Sequence, residues 1–354
     1  EWPKQYYRRK STTFSAAYIS SLILADVRKA SEESIGAGTT VDRAVMTVPV
    51  SSNLQQREDV VNAAEQAGLY CVRLISEPAA AAVAYALDSG DDGTTVMVFD
   101  FGGSSTDATL MRARETTQEF PQRHGLFEVV SHVSVTVGGQ DVDKRLAEHF
   151  AAKFQRQYGL DLTANSRSMS LLVSECEQVK IRLSTADSSL FAVMSVCEGI
   201  DFTSSLSRCE LNTLCADLFA DAADTLGAAL DKAGLCTDDR AGHHHGVSSV
   251  NNFVFAGGCS HIPAVQDLVE AFFNKTDPAS FNSDAKPKGH KSIDPNQVTA
   301  LGASIVAALI TDEKAGSGGS TTGGWMGPLG WAGGRQQNAL MTGPDAERML
   351  VNRW

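Results

Sequence analysis

The stretch Val96-Met-Val-Phe-Asp-Phe-Gly-Gly-Ser-Ser-Thr-Asp107 decides how this chain is read. Apolar residues run into Asp100, then into Gly102 and Gly103, then into Ser104, Ser105 and Thr106, and end on a second carboxylate, Asp107. A buried strand would fix Asp100 at its end. Paired glycines would let the backbone turn with positive φ and present N–H donors to an anion. Asp100 and Asp107 are spaced to hold a hydrated Mg²⁺, which takes one or two carboxylates and keeps water. The alternative from these residues alone is a β-hairpin with a Gly-rich turn and no ligand.

A second glycine pair sharpens the reading. Val254-Phe-Ala-Gly-Gly-Cys-Ser-His-Ile-Pro263 is again a strand, a Gly257-Gly258 turn and a helix opening near Pro263. Proline suits the first turn of a helix, and the free N–H groups there attract anions. Two such turns suggest a nucleotide gripped from two sides; two unrelated turns are the alternative.

Outward from these stretches, strands alternate with helices. Strands are expected at 39–50, 71–75, 94–101, 106–112, 126–137 and 250–256. Helices are expected at 54–67, 78–86, 141–158, 166–183, 210–233, 263–274 and 296–310. In the helix 210–233, Leu211, Leu214, Leu218 and Ala222 recur at helical spacing. The pattern indicates an α/β layer architecture.

The ordered motifs resemble the nucleotide-binding domain of the 70-kDa heat-shock chaperone family. Ala44-Val-Met-Thr-Val-Pro-Val50 resembles its strand ending in a proline, and Leu69 through Leu87, with Glu77-Pro78, its strand–Glu-Pro–helix element. Val137-Gly-Gly-Gln-Asp-Val-Asp143 resembles a third Gly-Gly turn at Gly138 and Gly139. Cys176-Glu-Gln-Val-Lys-Ile-Arg-Leu-Ser184 is similar to the helix that touches adenosine. Glu198-Gly-Ile-Asp-Phe202 and Ile293 through Ala303 complete the series, so the resemblance covers about residues 14 to 312. It implies an actin-like ATPase fold of two lobes, each a mixed sheet flanked by helices. The parts expected are a remainder of the first lobe at 1–90, second-lobe sheet at 91–140, a mostly helical subdomain over the cleft at 141–233, further second-lobe sheet and helices at 234–314, and a Gly-rich tail at 315–354.

The resemblance also implies a site. Asp100 and Asp107 would organise Mg²⁺ and water, and Glu77 would orient the attacking water. Gly102, Gly103, Ser104, Ser105, Gly138, Gly139, Gly257, Gly258 and Cys259 would surround the phosphates and ribose of ATP or ADP. Glu177, Lys180 and Ser184 would lie on the adenosine side. Departures from the family pattern point to altered nucleotide chemistry. Ser104 stands for a third glycine and Ser105 for a threonine; Ile181 and His261 replace arginines, Cys259 a small hydroxyl and Asn296 an acid. A Cβ at residue 104 crowds the backbone's approach to phosphate, and losing the guanidinium at 181 removes a planar cation able to stack on adenine.

About the first hundred residues of the family domain, with the first phosphate loop and a catalytic lysine, have no counterpart here, so the domain reads as N-terminally incomplete. The expected explanation is that this piece precedes Glu1; a second chain covering the gap is the alternative. Hydrolysis from these residues alone is expected to be absent.

Composition narrows the partners. The chain has 354 residues, a formal net charge of −12 and a hydrophobic content of 43%. An acidic chain is poorly suited to electrostatic nucleic-acid binding, although Lys4 to Lys10 forms a local basic patch. No apolar run has the roughly 18 residues of a membrane span, and a cytoplasmic location is expected. The seven cysteines contain no C-x-x-C pair, which argues for reduced thiols. His243-His-His245 reads as part of a polar loop insertion, with metal binding the alternative. The tail carries Trp325, Trp331 and Trp354, which are unfavourable to leave in water; a disordered tail is one reading, and docking on a partner or on the lobe itself is the other.

Three functions are compatible with this reading. The first is a divergent chaperone-family subunit of a larger assembly, ribosome-associated or joined to a J-domain co-chaperone, with weak adenine-nucleotide binding. The second is a fragment of an ATP-hydrolysing chaperone. The third is another kinase-like enzyme on the same fold.

Overall fold

The computed structural model describes residues 14–36, 38–87, 93–114, 127–235, 249–274 and 287–316. Lys4 to Lys10, the His243–His245 triplet and the tryptophans of the tail lie outside them. The chain divides into two compact units, Glu1–Glu77 with Ala303–Trp354, and Pro78–Gly302.

In the first unit, α1 (Ala16–Ile35) starts where the Ser15 side chain accepts from the Tyr18 N–H. Strand β1 (Arg43–Val48) is followed by α2 (Leu54–Gln66), opened by a reciprocal Asn53–Gln56 capping box. The chain returns as β2 (Tyr70–Ser76), parallel to β1, through the helical crossover that parallel pairing requires. Arg28 ties α1 to the end of α2: its guanidinium donates to the Ala67 and Gly68 carbonyls at 3.2 and 3.3 Å and to Glu32 at 3.1 Å. The opposite face of α1 is apolar and exposed at Ile19, Ile23 and Val27.

Helix α3 (Glu77–Ala84) opens at the unit boundary, and its run Ala79–Ala82 is buried. The second unit is built on a five-stranded sheet. Strands β3 (Thr95–Phe101), β4 (Thr106–Ala113) and β5 (Phe127–Val135) form an antiparallel meander. After β5 the chain runs through α4 (Gly139–Tyr158), α5 (Ser166–Leu183), the antiparallel pair β6 (Ser188–Cys197) and β7 (Ile200–Ser207), α6 (Arg208–Leu214) and α7 (Ala216–Lys232). It then returns as β8 (Asn252–Ala256), a 3₁₀ turn (Gly258–His261), α8 (Pro263–Asn274), β9 (Lys288–His290) and α9 (Val298–Gly316). The sheet order is β5-β4-β3-β8-β9, with β8 parallel to both β3 and β9. Near-continuous apolar sequence in β3 follows from its central place, since both faces are covered.

One expectation about the middle of this unit needs correction and another needs an addition. The stretch 141–233 is mostly helix, through α4, α5, α6 and α7, but it also holds the β6–β7 hairpin. There alternation buries Phe191, Val193, Phe202 and Leu206, while Leu190 and Met194 face outward, 61% and 72% exposed. The single helix expected at 210–233 is two. Cys215 leaves helical geometry at φ −118° and ψ 14°, and Arg145 captures the freed Leu214 carbonyl at 2.9 Å while gripping both Asp217 oxygens. The break is stable because the orphaned acceptor has a donor.

An aromatic cluster joins the hairpin to α4. Phe150 is fully buried and stacks on Phe191 with centroids 3.8 Å apart, and Phe202 packs edge-on against both. Truncating Phe150→Ala should therefore cost about 3–5 kcal/mol in urea unfolding. Leu190→Ala, on the outer face of the same hairpin, should change stability by no more than about 0.5 kcal/mol.

Candidate functional site

Strand β3 delivers Asp100 and β4 starts close to Asp107, so the two carboxylates are directly cross-strand neighbours. The turn between them is closed by the Gly102 N–H donating to the Ser105 carbonyl at 2.9 Å. Contrary to expectation, neither Gly102 nor Gly103 has positive φ. Their value is space: a Cβ on Gly103 would meet nothing within 4 Å, so the ground in front of the turn is left clear.

The second expected turn packs against the first. The Gly139 and Gln140 N–H groups at the start of α4 donate to the Gly102 and Gly103 carbonyls at 3.0 and 2.8 Å. Gly138 makes this approach possible, since a Cβ there would stand 2.6 Å from the Gly103 carbonyl and the Ser104 nitrogen. Those first α4 amides are thus spent on the turn and not offered to a ligand.

The third turn closes from β8. Gly257 has φ +78°, and a Cβ on it would overlap Asp100 Oδ1 and the Phe101 carbonyl, so only glycine fits. Its N–H donates to the Pro295 carbonyl at 3.0 Å. Just beyond, Cys259 Sγ and Lys180 Nζ lie against Gly139, the latter 2.9 Å from where a Cβ would be. The structure therefore gathers Asp100, Asp107, Gly102, Gly103, Ser104, Ser105, Gly138, Gly139, Gly257, Gly258, Cys259 and Lys180 around one seam of the second unit. Glu77 opens α3 as the last residue of the first unit.

Helix α5 presents Glu177, Lys180 and Ser184 on one face by their spacing. Lys180 is buried and already committed, donating to Asp143 Oδ2 at 2.8 Å and to the Gly139 carbonyl at 3.2 Å. Burial pushes the Asp143 carboxyl up despite Lys180, and the charge of Glu177 adds to this. Glu177 is exposed, and Ser184 Oγ donates back to the Lys180 carbonyl at 3.4 Å.

Electrostatically the carboxylate pair is uneven. Burial, then the charge of Asp107, pushes Asp100 up to about 6. Burial also pushes Asp107 up, but hydrogen bonds from His132, Ser134 and Ser105 and the charge of His132 outweigh it and hold Asp107 below its usual range. His132 Nε2 lies 3.0 Å from Asp107 Oδ1, and Ser105 Oγ donates to Oδ2 at 2.9 Å. A half-buried carboxylate with no hydrogen-bond donor among the described residues, beside a second carboxylate, fits a cation as its missing partner.

Four members of this neighbourhood escaped the sequence reading. His132 and Ser134 reach Asp107 only through the β4–β5 register, which the long connection between those strands conceals. Asp143 stands in the third glycine motif, but its pairing with Lys180 spans two helices. Asp294 pairs with His261 at 2.8 Å and is held below its usual range by the Asn296 N–H and then by His261. Among the described residues no three His, Cys, Asp or Glu side chains are grouped to hold a metal by themselves. The six described cysteines form no disulfide, and no described helix is long and apolar enough to cross a membrane.

A mixed sheet extended by parallel strands, with glycine turns converging at one end, is the architecture of the actin-like ATPase fold. Comparison with known proteins agrees. The family model described as "Hsp70 protein" matches residues 3–317. Heat shock 70 kDa protein 2 of Paracoccidioides lutzii is 36% identical over 309 residues, covering 87% of this chain and 42% of that protein. A heat shock 70 kDa protein of Emericella nidulans is 35% identical over 309 residues, covering 87% and 43%. Heat shock cognate 70 kDa protein 3 of Dictyostelium discoideum is 32% identical over 312 residues, covering 87% and 44%. The chain belongs to the Hsp70 family, and it spans less than half the length of these relatives.

The raised Asp100 carries a stability prediction. A carboxylate whose folded-state pKa exceeds its unfolded value stabilises the fold only while protonated, so stability falls as pH rises from about 4 through about 6. In EDTA, Asp100→Asn should raise the unfolding free energy at pH 7.5 by about 1–3 kcal/mol, with little gain at pH 4. A variant less stable than the parent at pH 7.5 contradicts the assignment.

Proposed function

We propose that the second unit holds the phosphate end of an adenine nucleotide, with Mg²⁺, in the seam between the Gly102–Ser105, Gly138–Gly139 and Gly257–Gly258 turns. The observation that carries this reading is that the Gly102–Ser105 turn, backed by Gly138 and Gly139, and the Gly257–Gly258 turn meet at an Asp100 with no counter-charge among the described residues. Proteins of the Hsp70 family bind ATP and ADP with Mg²⁺. Here Asp100, with Asp107 beside it, would hold the cation, which when bound would neutralise phosphate charge. Gly103, Ser104 and Ser105 would face the phosphates, Cys259 the ribose, and Glu177, Lys180 and Ser184 the adenosine. Binding is weaker than in relatives with a third glycine, because Ser104 adds a Cβ at the phosphate turn and Ile181, 55% exposed, offers no cation to the base.

In this reading the chain is the nucleotide-binding part of an Hsp70-type chaperone of the cytoplasm that works in a complex with protein partners, J-domain co-chaperones among them. The exposed apolar side of α1 supports an outward protein contact.

Gly103 supplies a clean test, because a Cβ there meets no atom of the described residues beyond its chain neighbours within 4 Å. Isothermal titration should show ADP binding with a Kd of roughly 10 µM to 1 mM. Gly103→Val should lower that affinity at least about 10-fold, or about 1.4 kcal/mol, while leaving the melting temperature nearly unchanged. Absence of heat at millimolar ADP, or an unaltered affinity in Gly103→Val, contradicts the proposal.

A further inference from the structure

The two carboxylates of the candidate cation site are not equivalent. Both oxygens of Asp107 are engaged by the protein, Oδ1 with His132 Nε2 at 3.0 Å and Oδ2 with Ser105 Oγ at 2.9 Å. Asp100, its cross-strand neighbour, accepts no side-chain hydrogen bond among the described residues. His132 is well seated: its side chain is 16% exposed, and Lys232 of α7 donates to its backbone carbonyl at 2.8 Å. On β5, His132 stands opposite Thr109, two residues from Ser134, which faces Asp107. Alternation along the strand puts the imidazole and the Ser134 hydroxyl on one face of the sheet.

We propose that His132 is a positioning residue that holds Asp107 as an internally satisfied carboxylate and leaves Asp100 as the one that takes the divalent cation. This rests on the nucleotide–Mg²⁺ reading above. A hydrated cation approaching Asp107 must share or displace donors that the protein already supplies, whereas at Asp100 it replaces nothing. A cation attracted to one carboxylate binds more weakly than one clamped by two, and the imidazole sets that limit. His132 is thus a residue through which this chain tunes the cation affinity of its nucleotide site without touching the nucleotide.

The test uses Mn²⁺, an oxygen-seeking divalent ion, titrated into the 354-residue chain without nucleotide and read by electron paramagnetic resonance. Asp100→Asn should weaken Mn²⁺ binding at least about 10-fold, and Asp107→Asn less than about 3-fold. Releasing Asp107 by His132→Ala should tighten binding about 3- to 10-fold, while His132→Gln, which keeps a donor, should stay near the parent. Equal losses for the two aspartate variants, weaker binding in His132→Ala, or no Mn²⁺ binding in the parent overturns the inference. Should His132→Ala fail to fold, the comparison of the two aspartate variants decides alone. ADP titration in the presence of Mg²⁺ on the same parent sample separates the two claims. ADP binding with the wrong cation pattern removes only the role of His132, whereas loss of ADP binding removes the nucleotide reading beneath it.

Discussion

The contact on which the second unit depends is backbone against backbone. Gly138 lets the start of α4 come so close to the β3–β4 turn that two of its N–H groups bond the Gly102 and Gly103 carbonyls. That contact fixes the turn from behind and leaves its front open. It also determines where α4 begins, and with it the position of Asp143 and of the aromatic cluster around Phe150. On the other side, Gly257 takes a left-handed conformation so that β8 can end against Asp100. Glycine does different work at each turn: close approach at 138, conformation at 257, clearance at 103.

A cost is built into this arrangement. Asp100 is half-buried between a second carboxylate and a glycine backbone, with no side-chain donor among the described residues. Such a group opposes folding unless a ligand neutralises it. By contrast, Asp107 and the buried Lys180–Asp143 pair are satisfied internally for the most part, although Asp143 Oδ1 has no partner among the described residues. The site therefore combines internally satisfied supports with one carboxylate whose charge the described residues leave uncompensated.

Much of this was legible in the sequence because it is local. The apolar run of β3, the Gly-Gly pairs and Pro263 as the first residue of α8 are nearest-neighbour signals, and the helices at Ser166–Leu183 and Pro263–Asn274 stand at their expected bounds. What was not legible is set by distant partners. The break at Cys215 is stabilised by Arg145, some seventy positions away in the chain. The imidazole on Asp107 depends on the β4–β5 register, and the role of Gly103 on what is absent in front of it. In β6 the outward Leu190, Ala192 and Met194 are as apolar as the buried Phe191 and Val193, so its alternation does not show in the sequence. Helix α1 went unread because its apolar residues lie on the exposed side while its anchor to α2 is a single arginine.

The central claim is that three glycine turns of the second unit form one phosphate-holding seam. Amide chemical shifts of the isotopically labelled chain, followed by NMR as ADP is added, test it most directly. The account predicts that the amides of Gly103, Ser104, Ser105, Gly257 and Gly258 move together along one binding curve, while those of Leu190 and Met194 on the far hairpin stay in place. Shifts confined to one turn, or movement on separate curves, would contradict a shared site.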